Sequence, residues 1–171
     1  MLFEKIDHYL EVFSTSVMIF TMSVATLVAF VNVVLRYVFN MSLTWAGETT
    51  SYLFIWSALF GAAYGFKIGM HLGVTIVIQK LKPKIAKWVL TFTLLIIFSY
   101  LICLIVWGYD FVMFNKMLEQ TSVDLQIPFW IIYMCVPISM SIATYQVGLK
   151  IIKTLKIPAE EFSYDMIMKE H

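Results

Sequence analysis

The chain has 171 residues, of which 61% are hydrophobic and 13% charged, with a formal net charge of +1 and a mean hydropathy of +0.84. Soluble domains are nearer about 45–50% apolar, so this composition excludes an ordinary soluble domain, and the near-neutral charge gives no sign of a nucleic-acid partner. The length leaves room for one helical membrane unit and no second domain.

Residues 3–11 place Phe3, Ile6 and Leu10 on one side and Glu4, Asp7 and Glu11 on the other. That pattern predicts an amphipathic helix lying on the membrane surface. Residues 12–35 contain no Asp, Glu, Lys or Arg. They predict a first span, because roughly 20 apolar residues cross a hydrocarbon core of about 30 Å. The run is too long for the core of a cleavable signal peptide and follows an acidic-leaning segment, so it is expected to be retained. Its polar residues, Ser14, Thr15, Ser16, Thr21, Ser23, Thr26 and Asn32, suit contacts between helices better than an ion path, because no carboxylate joins them.

Residues 36–48 join the first two spans. Arg36 suits the negative end of the first helix. Ser42 or Thr44 is expected to cap the second, with Glu48 in its first turn. An Arg36–Glu48 ion pair would complete a capped hairpin. The same segment, with Asn40 and Trp45, equally suits an exposed docking surface, and the residues alone leave both readings open.

Residues 49–66 predict the second span. Ser57, Gly61, Gly65, Gly69 and Gly73 recur every four residues and form a smooth stripe that lets a second helix approach closely. That helix belongs either to this chain or to another subunit. Trp56 is expected to pack on protein or lipid. Residues 69–81 predict an arm along the interface, with Lys67, His71 and Lys80 toward headgroups and Leu72, Ile76 and Leu81 toward acyl chains. Pro83 ends it.

Residues 88–109 predict the third span, and residues 110–124 a net acidic connection. Residues 125–149 predict the fourth. Pro128 stands at its start, where the missing N–H is harmless, and Pro137 inside it should kink the helix. Cys103 and Cys135 fall within spans and read as small apolar residues, with no redox pair. Trp45, Trp88, Trp107 and Trp130 fall at or near span ends, where amphipathic rings suit the headgroup region.

The expected fold is therefore all-α and integral to the membrane: one domain over residues 1–171, with four transmembrane helices and interfacial arms at 3–11 and 69–81. One set of connections and termini holds Lys5, Lys67, Lys80, Lys82, Lys84, Lys87, Lys150, Lys153, Lys156 and Lys169, whereas the other holds only Arg36 and Lys116. The positive-inside rule then places both termini in the cytoplasm. No span holds a histidine for haem. No phosphate-binding loop, zinc-protease motif or nucleophile elbow is present. No catalytic residue, metal or cofactor is expected.

The run Arg36-Tyr-Val-Phe-Asn40, then Ser42-Leu-Thr-Trp45-Ala-Gly-Glu48, resembles the small membrane subunit of tripartite ATP-independent periplasmic (TRAP) transporters, the DctQ-like family. So do Gly61-Ala-Ala, the Lys67-x-Gly69-x-His71 step, Gln120-Thr-Ser122, Ile127-Pro128-Phe-Trp130 and Val136-Pro137. The resemblance covers nearly the whole chain. Two positions depart from the family pattern: Gly47 stands where an acidic residue is frequent, and Gln126 where glycine is frequent. The resemblance implies a bacterial inner-membrane protein that serves a sodium-driven importer of an organic acid, such as a dicarboxylate or sialic acid. It implies two protein partners besides membrane lipids, a large membrane subunit that moves substrate and sodium by an elevator motion and a periplasmic substrate-binding protein. This chain would be the non-catalytic scaffold. A stand-alone four-helix exporter would normally need a carboxylate within the membrane, which these spans lack, and a structural tetraspan protein is the remaining alternative.

Overall fold

The computed structural model describes residues 2–68, 81 and 83–157. Five helices follow in order: α1 (Leu2–Val38), α2 (Thr44–Ile68), α3 (Pro83–Met117), α4 (Phe129–Tyr133) and α5 (Cys135–Lys156). Segments Lys5–Val38, Pro83–Met117 and Phe129–Lys156 are long and apolar enough to cross a membrane. α2 falls outside that group because Ser51, Tyr52, Trp56, Ser57, Tyr64 and its glycines dilute its hydropathy.

α1 corrects one expectation. Residues 3–11 are not a separate arm, because the helix runs unbroken from Leu2 to Val38. No glycine or proline interrupts that stretch, and nothing in it forces a turn. At 37 residues the helix is about 55 Å long, well beyond a hydrocarbon core. α3 likewise continues to Met117, two turns past the expected end of the third span. The connection expected over residues 110–124 therefore begins as helix, with Asn115 buried and its Nδ2 donating to the Phe111 carbonyl at 2.8 Å. The second expected arm, residues 69–81, lies outside the described residues except for Leu81, as do Gly69, Gly73 and His71.

The helices pack as a row. α1 lies against α2, α2 against α5, and α5 against α3, while α1 touches α5 only slightly. Phe60 of α2, Leu94 and Leu101 of α3, and Cys135, Ala143 and Val147 of α5 form the core. Two members of the small-residue stripe, Ser57 and Gly61, pack inside this chain. A Cβ on Gly61 would lie 3.1 Å from Met18 Sδ, and Ser57 Oγ donates to the Met18 carbonyl at 3.1 Å.

The fourth expected span is divided at Met134, between α4 and α5. Pro137 has no N–H to offer the Tyr133 carbonyl, so the break falls where that hydrogen bond is missing. Neighbours steady the break. Trp56 Nε1 donates to the Ile132 carbonyl at 3.0 Å, so this tryptophan packs on protein, with its ring stacked 5.9 Å from Phe60. Gly108 of α3 lets the kink approach: a Cβ there would meet Val136 Cγ1 at 3.0 Å and Pro137 Cδ at 3.5 Å.

Candidate functional site

The densest polar constellation at the expected outer end is built on Glu48. Its Oε1 accepts the Val123 N–H at 3.0 Å. Its Oε2 accepts the N–H groups of Asp124 at 3.2 Å and Leu125 at 3.1 Å. Three successive backbone donors thus converge on one carboxylate, as in an anion-binding nest. Desolvation pushes the Glu48 pKa up, but the N–H groups of Leu125, Val123 and Asp124 outweigh it, and the net shift is below the ordinary carboxylate value. Glu48 stands one residue ahead of the expected span, so this is a group at the membrane boundary.

The loop so gripped is closed on itself. Ser122 N–H donates to the Ile127 carbonyl at 2.9 Å, and Phe129 N–H to the Gln120 carbonyl at 3.0 Å. Ser122 Oγ, fully buried, accepts the Ile127 N–H at 3.2 Å. Thr121 and Pro128 form an isolated antiparallel bridge. Pro128 has φ −59° and heads α4, where its missing N–H leaves nothing unpaired. Gln126 has φ +56°. This left-handed backbone favours glycine. Gln126 compensates in part, since its Nε2 donates to the Val123 carbonyl at 2.8 Å.

On the hairpin side, Asn40 has φ +54°, a conformation that Asn tolerates better than most residues. The turn brings the Met41 N–H back to the Leu35 carbonyl at 3.0 Å. Asn32 Oδ1 then accepts the Leu43 N–H at 3.1 Å, tying the end of α1 to the start of α2. Arg36 is exposed in the last turn of α1. The expected Arg36–Glu48 ion pair does not form, because Glu48 spends both oxygens on the 123–125 backbone. Glu48 is the fifth residue of α2 and not part of its first turn. Trp45 is 41% exposed. Of the candidate docking residues, Arg36, Asn40 and Trp45 belong to the hairpin, and Glu48 alone bridges to the second connection. Lys116 Nζ lies 5.5 Å from the Trp130 ring centroid, a cation–π contact on the same connection.

A second constellation went unseen in the sequence. Lys67 was expected among lipid headgroups, yet it is 5% exposed. Its Nζ lies 3.0 Å from Asp7 Oδ2 and 2.8 Å from Glu11 Oε2. Gln146 Nε2 donates to Asp7 Oδ1 at 2.7 Å. The cluster joins α1, α2 and α5 at their expected inner ends. A buried lysine ammonium needs opposite charge nearby, and α1 supplies it because residues 3–11 continue the span helix. The signal was available in the i, i+4 spacing of Asp7 and Glu11, which puts both carboxylates on one face. Among the described residues, no group of three or more His, Cys, Asp or Glu side chains is arranged to hold a metal ion.

The sequence profile of the family described as "Tripartite ATP-independent periplasmic transporters, DctQ component" matches residues 25–156. The C4-dicarboxylate TRAP transporter small permease protein DctQ of Rhodobacter capsulatus is 29% identical over 130 residues, covering 73% of this chain and 56% of that protein. The protein of the same description from Vibrio cholerae is 25% identical over 166 residues, covering 84% of this chain and 72% of that protein. The match thus spans little more than half the length of the first relative. These relatives and the three long apolar helices mark a multi-pass protein of the inner membrane. The chain belongs to the DctQ component family of the tripartite ATP-independent periplasmic transporters.

Proposed function

We propose that this chain is the non-catalytic scaffold of a sodium-driven importer of an organic acid. A C4-dicarboxylate is the leading substrate class, because both relatives carry that substrate in their descriptions. In this reading α2 is a fourth span beside the three longer helices, and both termini lie in the cytoplasm. The spans anchor a large membrane subunit that carries substrate and sodium. The two outer connections help receive a periplasmic binding protein.

The observation that carries this reading is the Glu48 grip on residues 123–125. It fuses the two outer connections into one preorganised surface, and a preorganised surface loses little entropy when a soluble partner docks. The small-residue stripe supports the scaffold role from within, since Ser57 and Gly61 are already occupied by α1. That leaves the large subunit to pack on other faces.

Mild-detergent extraction of the tagged chain from its native membranes, followed by mass spectrometry of co-purifying proteins, tests the proposal. A large multi-span protein at one-to-one stoichiometry is the expected result. Recovery of the chain alone, or only as a homo-oligomer, would overturn it. Within the recovered complex, Glu48→Ala should weaken capture of the periplasmic binding protein while the two membrane subunits stay together.

A further inference from the structure

Glu48, Tyr52 and Trp56 recur every four residues, so they stand in one row along α2. Each meets the same short stretch of chain. Glu48 takes the N–H groups of residues 123–125. Tyr52 meets the Ser122 side chain, and Trp56 Nε1 donates to the Ile132 carbonyl at 3.0 Å. We propose that residues 120–133 form a strap that latches onto this row, and releases from it, as one unit. The outer surface is then held in place partly by Trp56, about 12 Å along α2 from Glu48.

The strap has a joint at each end. Glu119, at the outer end, has φ +51°, a left-handed turn just past the last residue of α3. Met134, at the inner end, separates α4 from α5, ahead of Pro137 with its missing N–H. Between the joints the stretch is tied within itself. Phe129 N–H bonds the Gln120 carbonyl, and Ser122 N–H bonds the Ile127 carbonyl. A segment bonded internally and jointed at both ends opens as one cooperative piece. Ser122 is the junction. Its buried hydroxyl accepts the Ile127 N–H at 3.2 Å and also reaches Glu48 and Tyr52. Members of one hydrogen-bond network are coupled, so a bond lost at one rung is felt at the others.

The other face of the strap rests on α3 through ring contacts. The Tyr133 and Phe111 ring centroids are 4.8 Å apart, and Lys116 Nζ lies 5.5 Å from the Trp130 centroid. Ring pairs keep their attraction over separations of about 4.5–7 Å, whereas an N–H bond to oxygen holds only over about 2.7–3.2 Å. The α3 face therefore tolerates a shift, and the α2 row fixes the position. The inference rests on the docking reading above for the use of the outer surface and not for the latch itself.

Hydrogen exchange on the full chain in mild detergent, without a binding protein, tests it. In the unaltered chain the bonded amides of residues 122–125, 127 and 129 should share one common protection factor, as a single opening unit requires. Trp56→Phe keeps an aromatic ring beside Phe60 and removes the indole N–H, leaving Glu48 untouched. It should nevertheless speed exchange at residues 123–125 by about fivefold, the equivalent of one ordinary hydrogen bond, with the middle of α3 unchanged. Tyr52→Phe, which removes one hydroxyl, should speed the same amides. Protection factors that scatter in the unaltered chain would overturn the proposal, whether or not a variant folds. So would unchanged exchange at residues 123–125 in Trp56→Phe, or a rise that extends through α3. Capture of the binding protein is a separate readout, so the docking reading and the latch can fail independently.

Discussion

Glu48 and Leu125 are 77 residues apart in the chain, yet the Leu125 N–H donates to Glu48 Oε2 at 3.1 Å. With Val123 and Asp124 on the same carboxylate, this contact joins two connections that sequence reading treats separately. Glu48→Ala removes every acceptor from the grip. The amides of residues 123–125 should then exchange with solvent at least about tenfold faster, as local opening becomes easier, while amides in the middle of α3 are unchanged. Hydrogen exchange read by mass spectrometry checks this. Uniform protection would mean that the loop's internal bonds suffice.

The same grip has a defined pH window. The Glu48 pKa is lowered on folding from an ordinary value of 4.5. A group with a depressed folded pKa contributes stability that is fully present above its unfolded value and is lost as pH falls through its folded value. Exchange at residues 123–125 should therefore be independent of this group between pH 7 and pH 5 once corrected for intrinsic rates. It should rise below the ordinary value. Glu48→Gln should abolish the acid-dependent component.

Lys67 sits between Asp7 and Glu11 with 6% of its side chain exposed. Lys67→Met removes the ammonium that these two carboxylates share, and because Glu11 is a third exposed the loss should fall below the about 3–5 kcal/mol of a fully buried pair. Adding Asp7→Asn and Glu11→Gln to Lys67→Met should recover part of that loss, since no uncompensated charge is then left behind. Thermal unfolding of the three proteins in detergent gives the comparison. If Lys67→Met melts with the unaltered protein, the cluster is solvated and not buried.

Gln126 occupies a left-handed backbone position with φ +56°. Gln126→Gly removes the steric cost of about 1–2 kcal/mol but loses the Nε2 bond to the Val123 carbonyl, so its melting temperature should stay close to that of the unaltered protein. Gln126→Val loses the bond and adds a β-branched side chain at positive φ, and it should be the least stable of the three. A valine variant as stable as the glycine variant would show that the loop escapes this conformation.

Gly108 faces Val136 and Pro137 across the α3–α5 contact. Gly108→Ala asks Val136 Cγ1 to yield by a few tenths of an ångström, so a small loss is expected. Gly108→Leu overpacks the kink and should cost about 1–3 kcal/mol, read as a lower melting temperature. An unchanged melting temperature in the leucine variant would mean that the two helices separate freely.

The sequence by itself determined the membrane character, the positions of the two prolines that shape the final helix, and the family. Apolar runs, proline chemistry and the Arg36 to Glu48 motif are local properties, and each can be read within one segment. It did not determine which polar groups meet. Lys67 was expected among headgroups and Glu48 opposite Arg36, because both assignments relied on neighbours along the chain. Only the tertiary structure decided that α1 runs unbroken from Leu2, which carries Asp7 and Glu11 to Lys67. It also decided that the 123–125 backbone reaches Glu48 before Arg36 does. The physical reason is that a buried charge takes whichever partner packing brings within hydrogen-bond reach. That choice depends on how the helices lie against one another and not on their spacing in the chain.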